Sequence, residues 1–235
     1  MKKTDFPKDI NGYHIFDYIG DVPFEQNCKN KNLRSEIYNL FLIELPSRLQ
    51  ELKKIIPSHI ELDYSYKSLE NMDQWLYSII IEYRENYFNA SIIAEVERKF
   101  KNAEYFEERD GNCNDMLARQ VTNRFFRSIA TDSAIYLVEC LRRTGMSDIR
   151  WIEGHRKLKT MGGAHPQAYS VHYANGLQYW NSDTWNGIYA IFLGICGEIA
   201  CPDKIGFISL RKYFRTAHGI YWDAPIPEKL QHSIF

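Results

Sequence analysis

The 235-residue sequence has little of what would declare a function outright. It contains no internal repeat, no low-complexity tract and no clear linker, which excludes solenoid and bead-on-string architectures. Its five cysteines (Cys28, Cys113, Cys140, Cys196 and Cys201) are odd in number and irregular in spacing. That pattern excludes a disulfide framework and reads as free thiols in a reducing compartment. Cys196 and Cys201 have no histidine or second cysteine pair at zinc spacing, so no structural metal site is expected, and no cofactor. The GxxxxGK[ST] phosphate loop is also missing; Gly162 and Gly163, between His155 and His165, read as a flexible basic loop.

Long apolar runs are absent too. The most apolar stretch, GIYAIFLGICGEIA (187–200), is too short to span a bilayer and carries Glu198. Asp5, Pro7, Lys8 and Asp9 interrupt any signal-peptide core. The expectation is a soluble cytoplasmic protein with no membrane partner. A formal charge of −1 and a pI near 6.7 leave no global basic field, so nucleic acid is not an expected partner.

Aromatic residues are plentiful, with 16 Tyr, 13 Phe and 5 Trp, and the chain is long enough to bury a substantial core. The charge, near zero in total, is unevenly spread. Residues 1–56 hold 9 basic against 8 acidic side chains, 57–115 hold 6 against 13, and 116–235 hold 14 against 9. An acidic middle therefore precedes a basic C-terminal half. Such a division either packs one region on the other or presents an acidic face to a basic partner. The basic cluster Arg142, Arg143, Arg150, Arg156, Lys157 and Lys159 fits the first use.

Hydrophobic periodicity places helices over 32–56, over the stretch after Ser68, over 91–102, from Asn114 to Phe126, and over 131–145. Pro46 should kink or restart the first. Ser68 is a candidate N-cap for the second, whose stripe is Leu69, Met72, Trp75, Leu76 and Ile79. Thr131 or Asp132 can cap the last, and Gly145 can take the left-handed stop. DIRWIEG (148–154) reads as a short strand. AYSVHYANGLQYWNSD (168–183) reads as a hairpin, because both residues of an Asn-Gly turn accept positive φ. SLRKYFRTAHG (209–219) reads as a short basic helix. The expected fold is α+β in one domain, 1–235. A helical part over about 32–145 would pack on a small antiparallel sheet that contains the 168–183 hairpin, in a β-containing part from about 148 to 235.

GNCNDMLAR (111–119) puts Cys113 near the first turn of a helix, where the dipole would lower a thiol pKa. Cys113, then His165 or His172, then Asn181 and Asp183 resembles the order of papain-like and transglutaminase-like enzymes, which implies a cysteine hydrolase or transferase. Strand parity argues against it. With a two-residue turn, Ala168 faces Asp183, Ser170 faces Asn181 and His172 faces Tyr179. His165 then falls on the opposite side from Asp183 unless a bulge intervenes, and His172 is four positions along, roughly 13 Å at strand rise. Neither histidine forms a clean dyad with Asp183.

Glu104, Glu107, Glu108, Asp110 and Asp115 crowd one connector. Exposed carboxylates keep ordinary pKa values and make poor acid–base catalysts, but they suit recognition of a basic protein. LDYSYKSLENMDQWL (62–76), an acidic turn leading into a Ser-Leu helix, stands with TDSAIYLVECLRRTGMSDIRWIEG (131–154), a helix with Asp132, Tyr136 and Glu139 leading into an Arg-Trp strand. Together they resemble small cytoplasmic bacterial proteins of the immunity type, which neutralise polymorphic or contact-dependent toxins. The resemblance covers about 60–155, and the later hairpin has no counterpart in it. It implies a stoichiometric inhibitor of a cognate protein toxin, with no chemistry of its own. The acidic segment 104–115 is then the expected contact surface.

Overall fold

A computed structural model describes residues 12–15, 31–87, 124–153, 167–169, 210–221 and 223–232. Among these, five helices carry the architecture: α1 (Lys31–Ile55), α2 (Tyr66–Tyr87), α3 (Arg124–Arg143), α4 (Leu210–Ala217) and α5 (Glu228–Gln231). Two three-residue strands, β1 (Arg150–Ile152) and β2 (Gln167–Tyr169), pair antiparallel, with Trp151 opposite Ala168.

The α+β expectation is therefore corrected. The described residues are mostly helical, and neither a sheet layer nor the 168–183 hairpin is seen among them. Ala168 and Tyr169, expected to begin the hairpin's first strand, are paired with β1. Alternation identifies which residues share a face of a strand, but not which strand pairs with it. A three-pair ladder is also too short to support a layer, so the helices bury the core instead.

α3 lies at the centre, packed on α1 and on α4, while α4 packs on α2 and α2 also touches α5. The reason is visible in its side chains. Ile129, Leu137 and Leu141 are buried, and so are the polar Ser128, Asp132 and Ser133 between them. A helix apolar on one stripe needs a single neighbour; one buried nearly all round must be surrounded. α2 buries Leu69, Met72, Trp75 and Leu76, as its 3,4 spacing predicts. α4, the expected basic helix, buries Leu210, Tyr213 and Phe214.

The helix ends repay attention to single residues. α2 begins three residues before the predicted cap: Ser65 is the N-cap, its Oγ accepting the Ser68 N–H at 3.0 Å. Ser68 instead turns inward from the first turn. α3 ends as predicted, with Gly145 at φ +110 and the Met146 N–H reaching back to the Leu141 carbonyl at 3.0 Å. α1 runs through Pro46 as one helix, so of the kink or restart expected there the restart does not occur. Proline removes the hydrogen bond to the Leu42 carbonyl, but both residues lie on the exposed face, where water can take that role. Ser47 Oγ donates to the Glu44 carbonyl at 2.8 Å one turn below.

Candidate functional site

Glu104, Glu107, Glu108, Asp110, Cys113, Asp115, His172, Asn181 and Asp183 all lie outside the described residues, so their geometry is not part of this structure. What the described residues bring together is a set of buried polar constellations that sequence reasoning missed.

The largest is built on Arg48, which is completely buried although arginine is a residue of surfaces. It sits on the apolar stripe of α1, in line with Ile37, Phe41 and Leu52. Its Nε and Nη2 donate to the two oxygens of Asp132 on α3, each at 2.8 Å, a bidentate fork. Nη2 also reaches Ser128 Oγ and Tyr13 Oη at 3.0 Å, and Nη1 donates to the His14 carbonyl at 2.7 Å. Tyr13 in turn donates to Asp132 Oδ2 at 2.6 Å. The segment 12–15 is held further by the His14 N–H on Glu51 and by Lys54 on the Gly12 carbonyl. One buried guanidinium thus ties the N-terminal segment, α1 and α3 together.

Burial raises the Asp132 carboxyl to about 6 and outweighs the fork from Arg48 and the Tyr13 hydroxyl. Burial beside Asp132 also pushes the Tyr13 hydroxyl well above its ordinary value. Tyr13 therefore stays neutral and serves as a hydrogen-bond donor.

A second constellation joins α2 to α4. Asp73, buried in the middle of α2, accepts the Leu210 N–H at 2.8 Å and Arg211 Nε at 2.9 Å. It acts as an N-cap supplied from 137 residues away in the chain. Arg211 also donates to Glu70 at 2.9 Å. Burial raises Asp73 to about 6 despite these donors. At the other end of α4, the His218 ring packs tilted against Phe214, centroids 4.6 Å apart, and its Nε2 lies 3.0 Å from Thr144 Oγ1, just after α3. Desolvation, with the nearby Lys229 charge, lowers the His218 imidazole to about 4, so it is neutral at pH 7.

The third pins the start of α2 to α3. Tyr136 Oη accepts the Tyr64 N–H at 2.9 Å and contacts Ser68 Oγ. Tyr64 has φ +65, an uncommon conformation for a bulky residue, and the Arg143 guanidinium lies over its ring at 3.9 Å. Cys140, one turn along α3 from Tyr136, is wholly buried, and burial raises its thiol well above the ordinary value. That is the environment of an inert cysteine.

All three arrangements join elements. Each buried charge faces a partner on another element, which is how such charges become tolerable inside a protein. Among the described residues no group of three or more His, Cys, Asp or Glu is placed to hold a metal ion, and no helix is long and apolar enough to cross a membrane. Comparison of the chain with protein-family models, with curated proteins and with solved structures finds no match in any of the three.

Proposed function

We propose that this chain is a non-enzymatic protein-binding protein of the immunity type, acting in the cytoplasm, which neutralises a cognate bacterial toxin by seating on it and occluding its active site. The observation that carries the reading is the charge division of the chain, with 13 acidic against 6 basic residues over 57–115. Arg211 and Lys67 pair with Asp73 and Glu70, but a surplus of acidic residues is left in the block, and a cationic partner relieves its repulsion while gaining rate and specificity. The contact surface in this reading is Glu104, Glu107, Glu108, Asp110 and Asp115. Changing Glu104, Glu107 and Glu108 together to Lys should weaken partner binding by about tenfold or more, as like charges meet. Unchanged affinity would remove that surface from the account.

The order Cys113, His172, Asn181, Asp183 favours a second reading, a papain-like or transglutaminase-like hydrolase with Cys113 as nucleophile. Such an enzyme needs a thiolate at low pH. The binding reading predicts that iodoacetamide at pH 6 modifies Cys113 no faster than free cysteine. Rapid labelling that disappears in Cys113→Ala would favour the hydrolase.

A further inference from the structure

The turn that joins α1 to α2 encloses an open groove of about 460 Å³ that none of the clamps uses. Among the described residues its apolar lining is Ile56, Pro57, Ile60 and Leu62, and its carboxylates are Glu61 and Asp63, set against the single amine of Lys53. Glu61 and Asp63 are exposed, and Ile60 and Leu62 are half-buried. The groove therefore offers greasy surface and a net negative rim in one place.

Two further observations distinguish it from an ordinary surface dip. After the turn closed by the Ile60 N–H on the Pro57 carbonyl at 2.9 Å, Glu61 and Leu62 belong to no helix, strand or turn and have no hydrogen-bond partner among the described residues, backbone included. Their N–H and C=O groups are thus unpaired among the described residues, and unpaired extended backbone is what a docking peptide bonds to. The wall beside them is also fixed. Asp63 accepts the Ser65 N–H at 2.9 Å, and Tyr64 is held at φ +65 by Tyr136 and Arg143. Strain of this kind persists only where surrounding contacts over-determine it, and it is often found where a surface is preorganised for a ligand.

We infer that the groove over 53–63 receives an extended segment of the partner protein in which basic and apolar residues alternate. The alternation follows from the lining: apolar side chains enter between Ile56 and Leu62, and cationic side chains meet Glu61 and Asp63. The inference rests on the protein-binding reading above, and it adds a docking site at the leading edge of the acidic block. Partial burial works to raise the Asp63 carboxyl, but hydrogen bonds from Ser65 and Ser68 outweigh it and hold the group below its usual range, so Asp63 stays charged at neutral pH.

The probe is the capped hexapeptide Lys-Leu-Lys-Val-Lys-Leu, titrated into the full chain and followed by backbone amide NMR, with Glu-Leu-Glu-Val-Glu-Leu as control. The basic peptide should shift amides over 53–64, the acidic one should not, and Glu61→Lys should weaken the response at least tenfold. Glu61 is exposed and takes part in no ion pair among the described residues, so this variant should fold normally. Three results would overturn the inference: no shifts over 53–64, equal response to both peptides, or an unweakened response in Glu61→Lys. Each would leave the protein-binding reading standing, because capture of a partner by the full chain decides that separately.

Discussion

Arg48 and Asp132 show how a single pair can organise a chain without adding much stability. Taking two charges out of water costs several kcal/mol per ion, and the bidentate fork with the Tyr13 and His14 contacts offsets that cost only as a complete set. Arg48→Met alone should therefore destabilise the protein by about 3–5 kcal/mol in urea unfolding, because Asp132 is left buried and unpaired. Adding Asp132→Leu should restore most of the loss. Additive losses in the double variant would mean that the two side chains are not coupled as described. Neither residue stands out in the sequence. Arg48 is one charge among several in SRLQELKK of the amphipathic helix 32–56, and Asp132 reads as a cap because TDS opens an apolar run. The available signal was positional: Arg48 falls on the stripe of Ile37, Phe41 and Leu52, and Asp132 lies between Ser128 and Tyr136 on a helix buried nearly all round. Opposite charges on two apolar stripes are candidates for each other, but only the fold tells that the stripes meet.

Elements were legible in proportion to how local their causes are. The stripe of α2, the left-handed stop at Gly145 and the short helix after Ser209 follow from spacing and turn chemistry within a few residues. The start of α3 did not, since TDS at 131–133 imitates a cap within a helix that begins at Arg124. That Ala168 and Tyr169 pair with β1 is a non-local fact, which alternation along either strand does not reveal. α4 shows the same limit, because its cap comes from Asp73 on α2. The docking of α4 on α3 should depend on pH through His218. Its pKa is about 4 in the folded chain against an ordinary 6.5, so the unfolded chain takes up the proton first. The stability this neutral ring contributes is present above pH 6.5 and is lost as pH falls towards 4. Asp73 and Asp132, raised to about 6, act in the opposite direction over the same range, so the effect must be read as a difference. Between pH 7 and pH 5 the Tm of the wild-type chain should fall relative to that of His218→Gln. Parallel profiles would show that the ring is not desolvated as described.

For the molecule as a whole, three clamps tie the N-terminal segment and α1 to α3, α4 to α2, and the start of α2 to α3, and in the proposed reading a partner meets the acidic block. The scaffold is compatible with many activities, since a fold hosts function without specifying it. Complementary charge is the feature that points outward, and it makes the association sensitive to salt. The most direct test of the binding account is affinity capture of the tagged full chain from its own cells at low ionic strength, with partners and their ratio determined by mass spectrometry. The account predicts one stoichiometric protein partner that carries a toxin-like catalytic domain and is released as salt is raised. A capture that retains no stoichiometric partner would contradict it.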